Sequence, residues 1–108
     1  MPVYNKLVRD RIPEIIQQDG KTLVTRVLSD EEYEIEVQRK MHEELAEYEE
    51  AVESKDKLEE LADLLELIHA AAAIQGATFE ELEEVRARKA KTRGGFEKRI
   101  YLVEVKDD

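Results

Sequence analysis

Two pairs of carboxylates on successive predicted helices have a spacing that suits a metal site. Glu44 and Glu47 lie in one helix and Glu60 and Asp63 in the next, and each pair is spaced i, i+3. At about 100° per residue, Glu44 falls inside the apolar stripe of its helix and Glu47 falls on the edge of that stripe. Glu60 and Asp63 take matching positions on the following helix. Both helices therefore place two acids on the face that we expect to be buried.

Four converging carboxylates need compensation, because each buried charge is unfavourable unless it is paired or bound to a cation. A divalent cation would supply that compensation, and ligands that are all oxygen favour Mg²⁺ or Mn²⁺ over zinc. In the alternative interpretation, these acids reach solvent at the borders of the stripes or pair with Arg39, Lys40 or Lys57. Two matching pairs on adjacent helices favour the metal interpretation.

The composition excludes several other kinds of site. The chain has no Cys, which excludes disulfides, thiolate metal sites and a Cys nucleophile. A di-iron bundle needs two Glu-x-x-His motifs, and the single match, from Glu66 to His69, lies away from the apolar face. We therefore predict that His42 and His69 are surface residues.

Helices must position these acids, and the sequence predicts four of them. They cover about 11–18, 31–53, a segment after the Ser54-Lys55-Asp56 turn that ends near Gln75, and about 79–92. Ser29 or Asp30 can cap the second helix. Thr78 and Glu81 form a capping box for the fourth. The predicted fold class is mostly α.

Two short segments rich in β-branched residues, 22–28 and 99–105, are predicted strands. Two lone strands would normally pair with each other, which gives a small two-stranded β-ribbon beside the helical bundle. The chain shows no repeat and no linker. We therefore expect a single domain over residues 1–108, a length that suits one core.

Charge and hydropathy narrow the functional classes. The chain has 108 residues with 17 Lys and Arg against 27 acids, a formal net charge of −10, which argues against a duplex nucleic-acid binder. No apolar run approaches the roughly 20 residues of a membrane span, and no secretory signal is visible, so we expect a cytoplasmic protein. Residues 30–84 hold 20 of the acids and 4 of the bases, so the bases concentrate at the two ends. This distribution is either solvated helix faces or a carboxylate metal site flanked by cations that receive a polyphosphate.

The same acids carry a family signature. Residues 43–47, Glu-Glu-Leu-Ala-Glu, followed by 60–63, Glu-Leu-Ala-Asp, resemble the EExxE…ExxD pattern of the MazG-like all-α nucleoside triphosphate pyrophosphohydrolases. The opening 4–13, YNKLVRDRIP, and the closing 91–96, KTRGGF, are similar to a small branch of that superfamily labelled phosphoribosyl-ATP pyrophosphohydrolase-like. The resemblance covers nearly the whole chain. It implies a helical bundle of the all-α pyrophosphohydrolase type.

The resemblance also implies an activity, the Mg²⁺-dependent hydrolysis of a nucleoside triphosphate to the monophosphate and pyrophosphate. Glu44, Glu47, Glu60 and Asp63 would hold the metal. Glu43 and Glu44 would be the catalytic residues, and Glu43 would position or deprotonate the attacking water, unless it is only a solvated neighbour. We expect modified or surplus nucleotides as substrates.

Cations must meet the phosphates of such a substrate. The candidates are Lys6, Arg9, Arg11, Lys40, Lys91 and Arg93. Arg93 with Gly94 and Gly95 forms either a phosphate-cradling loop or an ordinary helix C-cap. Tyr48, on the carboxylate face of the second helix, is our candidate for stacking on the base.

Members of this family are dimers or tetramers, and the third helix is apolar around much of its circumference, which indicates neighbours on several sides. We expect a homodimer that completes a bundle, or a higher homo-oligomer. Two other functions stay open. One is phosphoribosyl-ATP hydrolysis in histidine biosynthesis. The other is a non-catalytic acidic helical module for oligomerisation or binding, which would tolerate Glu44→Gln and Asp63→Asn.

Overall fold

Four helices make up the regular structure of this chain. A computed structural model describes residues 3–107. In chain order the helices are α1 (Ile12–Gln18), α2 (Asp30–Glu50), α3 (Ser54–Ile74) and α4 (Phe79–Arg93). None of the described helices has the length and apolar character that a membrane crossing requires. The prediction of a mostly helical fold is confirmed.

Local sequence signals fix the starts of α2 and α4. The backbone N–H of Glu32 donates to the Ser29 hydroxyl, and the backbone N–H of Ser29 donates to the Glu32 carboxylate. The same reciprocal pair joins Thr78 and Glu81 ahead of α4. Each box satisfies donors that a helix start leaves without an intrahelical partner. Both predicted caps are confirmed, with Ser29 rather than Asp30 as the N-cap of α2.

The turn between α2 and α3 lies earlier than predicted. Helix α2 ends at Glu50 instead of about residue 53, and Ser54 is already the first residue of α3. The turn is therefore 51–53, with extended backbone at Ala51 and at Glu53. Ser54 and Asp56 suit the first turn of a helix because small polar and acidic residues are favourable at its positive end.

Helices α2 and α3 form an antiparallel hairpin, and α4 packs more lightly on α3. Within the described residues only three are buried. Val37 on α2 is 1% exposed, Ala72 on α3 is buried, and the third is the carboxylate of Glu44, which is 7% exposed. The small core of this hairpin therefore contains a potential charge.

The predicted β-ribbon is absent from the part of the chain that the structure describes, because neither 22–28 nor 99–105 forms a strand there. Val24 and Val27 are 99% and 97% exposed, and the side chains of 100–103 are also mostly exposed. High β-propensity expresses how well a side chain fits a pleated, half-buried surface. Exposed segments without such a surface have little to hold them as strands.

The molecule is more open than a compact domain of its size. Its accessible surface is 10197 Å², whereas a folded monomer of this mass is expected to expose about 6,200 Å². The radius of gyration is 18.6 Å, against about 13 Å for a compact domain of this length. Much apolar surface that the sequence patterning marks for burial therefore faces solvent in a single chain.

Candidate metal centre

Five carboxylates converge between α2 and α3, and we call them the carboxylate cluster. Glu43, Glu44 and Glu47 each offer an oxygen within 4.8 Å of the others, and Glu44, Glu60 and Asp63 form a second group of the same size. Glu44 belongs to both groups. The structure thus brings the four predicted metal ligands together and places Glu43 beside them.

The hairpin explains why the cluster forms. Glu44 lies eight residues before Val52 in the turn and Glu60 lies eight residues after it, so the two glutamates reach the same height on antiparallel helices. The i, i+3 spacing then places Glu47 and Asp63 on the same faces as their partners. A short turn between two helices of matched pattern is sufficient to build the cluster.

Glu44 is the most perturbed member of the cluster. Its burial, its hydrogen bonding to Glu60 and Glu47, and the negative charges of Glu47 and Asp63 raise the pKa of Glu44 to about 8. Without a bound cation, this raised pKa favours the protonated form of Glu44 near neutral pH. The protein therefore has an energetic reason to bind something positive at this point.

The pKa of Glu60 is raised for similar reasons. Hydrogen bonding with Glu44 works to lower the pKa of Glu60, but burial and the neighbouring Glu47 and Asp63 outweigh it and raise that pKa. Two carboxylates can hydrogen bond to each other only when one of them carries a proton. When Glu44 and Glu60 are both ionised, their buried Oε2 atoms receive no hydrogen bond within the described structure. Buried acceptors of this kind suit a hard cation.

Three of the predicted phosphate-binding cations contact the cluster itself. Lys6 Nζ donates to Glu43 Oε1 at 3.2 Å. Arg9 Nη2 donates to Asp63 Oδ1 at 2.6 Å. The N-terminal segment therefore lies across the carboxylate cluster before α1 begins. The sequence marked these residues as cations for phosphate and gave no sign that they pair with the predicted metal ligands.

Lys40 reaches the same carboxylates from within α2. Its Nζ lies 3.4 Å from Glu43 Oε1 and 3.8 Å from Glu44 Oε1. Burial works to raise the pKa of Glu43, but the hydrogen bonds and charges of Lys6 and Lys40 prevail and lower it. Glu43 is therefore a charged carboxylate held by Lys6 and Lys40, unlike its neighbour Glu44.

The other predicted phosphate-binding cations lie elsewhere. Arg11 pairs with Glu14 in the first turn of α1. Lys91 and Arg93 are exposed in the last turn of α4, and no hydrogen bond or ion pair within 3–107 joins them to the cluster. The N–H of Gly94 donates to the Ala90 carbonyl at 2.8 Å, which matches an ordinary helix C-cap.

The structure shows contacts of Tyr48 and His69 that the sequence did not predict. The Tyr48 ring, our candidate for base stacking, is covered on one face by Lys57, whose Nζ lies 4.5 Å from the ring centre. The same Nζ donates to the Tyr48 carbonyl at 2.8 Å. His42 is exposed as predicted, whereas His69 is half-buried and stacks on Phe79 with ring centres 3.9 Å apart.

A small cleft adjoins the cluster, and we call it the basic cleft. It encloses about 180 Å³ between the N-terminal segment and α2. Its lining consists of Tyr4, Asn5, Lys6, Leu7, Glu36, Arg39, Lys40 and Glu43. Tyr4, Asn5 and Arg39 were not predicted as site residues, because helical periodicity cannot show where a non-helical segment lies against α2.

Comparisons with known proteins add little to this geometry. One curated protein, from Mycolicibacterium smegmatis and described as an uncharacterized protein, is 55% identical over 42 residues. The match covers 39% of this chain and 43% of that protein, so the chain spans less than half of that relative's length. No family model matches the chain, and no solved structure matches it. The chemistry of the cluster must therefore be inferred from its own residues.

Proposed function

We propose that this protein is a Mg²⁺-dependent hydrolase that cleaves a nucleoside triphosphate to the monophosphate and pyrophosphate. The observation that carries the proposal is Glu44, a carboxylate that is more than nine-tenths buried, has an oxygen without a donor, and stands among four other acids. Such a group is unfavourable in the empty protein and favourable once a cation binds.

The donor set fits a hard divalent cation. Glu44, Glu47, Glu60 and Asp63 would hold Mg²⁺ or Mn²⁺, since all four offer carboxylate oxygens and the chain has no thiolate. When bound, the cation would neutralise phosphate charge, polarise a phosphoryl oxygen and acidify water. These are the contributions that hydrolysis of a phosphoanhydride needs.

The residues around the ligands have distinct roles in this proposal. Because the pKa of Glu43 is lowered, it is a weak proton acceptor, and its two lysine contacts hold it in place. We assign it to orienting water rather than to taking the proton. Lys6, Lys40 and Arg9 surround the acids and would attract a polyphosphate that otherwise meets a strongly negative protein.

The test is pyrophosphate release from a panel of standard and modified nucleoside triphosphates together with phosphoribosyl-ATP, with Mg²⁺ and with EDTA. We expect metal-dependent release from at least one modified nucleotide and its loss in Asp63→Asn. Glu49→Gln, an exposed acid on the same helix as Glu44, is the matched control and should retain activity. Release from no substrate, together with a melting temperature that Mg²⁺ does not change, would contradict the proposal and favour a binding module.

A homodimer is the second part of the proposal. The surface of a single chain exceeds that of a compact monomer by about 4,000 Å², more than a standard protein interface buries. Leu58, Leu61 and Leu65 follow one another along an exposed face of α3. A second hairpin packed on this face would complete a four-helix bundle and enlarge the small core.

The mass in solution tests this arrangement. Light scattering after gel filtration should give about twice the 12.6 kDa of one chain. Leu61→Glu should shift the mass toward that of a monomer and lower the melting temperature, whereas Glu59→Gln on the exposed polar side of α3 should change neither. A stable, fully helical monomer of the unmodified protein would contradict the proposed dimer.

A further inference from the structure

Two non-helical segments expose apolar side chains that nothing in the described chain covers. Residues 22–28, which join α1 to α2 and which we call the α1–α2 segment, leave Val24 and Val27 almost fully exposed. Residues 100–105 follow α4, and we call them the tail segment. Their five large apolar side chains are 73% to 88% exposed, and four of these are consecutive. Contiguous apolar surface of this kind is typical of an interaction site.

The backbone of both segments also lacks partners. Within residues 3–107, no hydrogen bond joins a backbone N–H or C=O of 22–28 or 100–105 to another backbone group. Neither segment contains Gly or Pro, and both are rich in β-branched residues, which suit a pleated pair of strands. Unpaired backbone groups flanked by such side chains form the kind of edge to which a further strand adds.

Helix α4 separates the two segments within one chain. The α1–α2 segment leads into the start of α2, which lies beside the end of α3, because Asp30 and Ile74 line the same surface depression. Helix α4 starts near this end of α3, and its 15 residues span about 22 Å. The N–H of Arg99 then donates to the Phe96 carbonyl at 3.1 Å, in a turn that follows α4. The tail segment therefore begins about one helix length from the point where the α1–α2 segment ends.

We propose that two copies of this chain exchange strands, so that the tail segment of each copy pairs with the α1–α2 segment of the other. A two-fold axis would relate the two resulting β-ribbons. The exchange supplies each unpaired segment with a partner, whereas pairing of the two tails with each other would leave both α1–α2 segments uncovered. It needs two copies, as the proposed dimer does, but it does not depend on the α3 face.

The side chains of the two segments match in an antiparallel pair. One register sets Val103 opposite Val27. The same register sets Glu104 opposite Arg26, whose exposed guanidinium also contacts Glu32 in its own chain. Apolar pairs and pairs of opposite charge at facing positions both stabilise a ribbon.

The exposed area also favours more contact than one helix face provides. A single chain exposes about 4,000 Å² more than a compact monomer, whereas a standard interface removes roughly 800 Å² from each partner. Packing on α3 alone would therefore leave most of this excess in water. Two exchanged ribbons would cover a further part of it and pair the free backbone groups.

The experiment is isotope-filtered NMR on full-length chain, with labelled and unlabelled copies mixed in denaturant and refolded together. We expect contacts between the tail segment of one copy and the α1–α2 segment of the other, and slowed amide exchange in both segments. Contacts confined to one copy would overturn the proposal. So would a dimer without contacts between the segments, or a protein that is monomeric by light scattering.

Proline in the middle of the tail tests the strand pairing itself. Val103→Pro removes a backbone donor from the ribbon and should raise the dissociation constant of the dimer by about ten-fold. Asp107→Pro, just beyond the tail segment, is the matched control and should leave the constant unchanged. Circular dichroism should show full helicity in both variants, because the changes lie after the last helix.

The outcomes separate this proposal from the preceding ones. If Leu61→Glu dissociates the dimer and Val103→Pro has no effect, the exchange is wrong and the contact through α3 stands. If no nucleotide is hydrolysed while the contacts between copies appear, the exchange stands and only the proposed activity is wrong.

Discussion

Two glutamates on α2, twelve residues apart, have opposite surroundings. Glu32 accepts hydrogen bonds from the Arg26 guanidinium and from the Ser29 backbone N–H, and these bonds, with the adjacent Ser29 hydroxyl, lower the pKa of Glu32 to about 2. Glu44 is buried among other acids, and its pKa is raised to about 8. The same residue type is thus stabilised as an anion at one position and destabilised as an anion at the other.

The difference separates a carboxylate whose oxygens all have donors in the chain from one that has an oxygen without a donor. Both carboxylate oxygens of Glu32 accept hydrogen bonds within the chain, at distances of 2.9 to 3.2 Å. Its charge is therefore satisfied by partners at the start of α2. Glu44 Oε2 has none in the described structure. Within the described structure, the cation nearest to Glu44 is Lys40, 3.8 Å from Oε1, and a bound cation would stabilise the ionised form further.

The largest expected effect comes from removing the carboxylate of Glu44. Glu44→Gln should abolish saturable Mg²⁺ binding and lower kcat/KM by on the order of 100-fold or more, since even outer-shell partners of a metal are typically worth 10- to 100-fold. Mg²⁺ titration by calorimetry and pyrophosphate release measure the two effects. Glu32→Gln should leave both unchanged, and a Glu44→Gln variant with unchanged Mg²⁺ affinity and unchanged pyrophosphate release would contradict the proposed difference between the two positions.

The pH dependence of stability should differ in sign between the two positions. The pKa of Glu44 is raised from 4.5 to about 8 in the folded chain, so the unfolded chain releases this proton first as pH rises. Without metal, the free energy of unfolding should therefore fall between about pH 5 and 8, and Glu44→Gln should flatten that slope. Glu32 contributes stability above pH 4.5 that is lost as pH falls toward 2. Urea unfolding in EDTA across this range measures both, and a slope that Glu44→Gln leaves intact would contradict the assignment.

A smaller effect is expected at the start of α2, where Glu32 lies. Ser29→Ala removes the acceptor of the Glu32 N–H and should destabilise the fold by about 1 kcal/mol, the usual value for an N-cap. Thr78→Ala is the matched test at the second capping box and should show a similar loss. Thermal and urea unfolding provide the measurement. A change of the same size in Mg²⁺ affinity would show that the α2 start is coupled to the cluster, against our interpretation.

The smallest effect is expected for Arg26→Gln. The exposed guanidinium of Arg26 contacts Glu32 at 2.9 Å, and exposed ion pairs contribute little and are screened by salt. The melting temperature should fall less than in Ser29→Ala, and the difference from the unmodified protein should vanish in high salt. A loss that salt does not reduce would mean that Arg26 packs rather than pairs.

Much of the helical architecture could be predicted because its causes are local. The capping box of Thr78 and Glu81 involves residues three positions apart, and helical periodicity places Glu44 and Glu60 on apolar faces. The convergence of the carboxylates follows from two such faces joined by a three-residue turn. The prediction of a β-ribbon was wrong because strand formation depends on a distant partner, and 22–28 and 99–105 have none within the described chain.

The contacts of long side chains could not be predicted in the same way. Lys57 covers the Tyr48 ring instead of pairing with the cluster, and Arg39 pairs with Glu36. Arg9 reaches Asp63, 54 residues away in sequence. Flexible cations have several acids within reach in so acidic a chain, and their choice depends on where the backbone runs.

By itself, the sequence determined where α2 and α4 begin, which acids lie on apolar faces, and that those acids would meet. Those properties follow from hydrogen bonds and periodicities that span a few residues. Only the tertiary structure decided that Glu44 is buried without a donor and that Lys6 and Arg9 lie across the cluster beside a basic cleft. Burial and long-range ion pairing depend on distances between segments, and no local pattern in the chain encodes them.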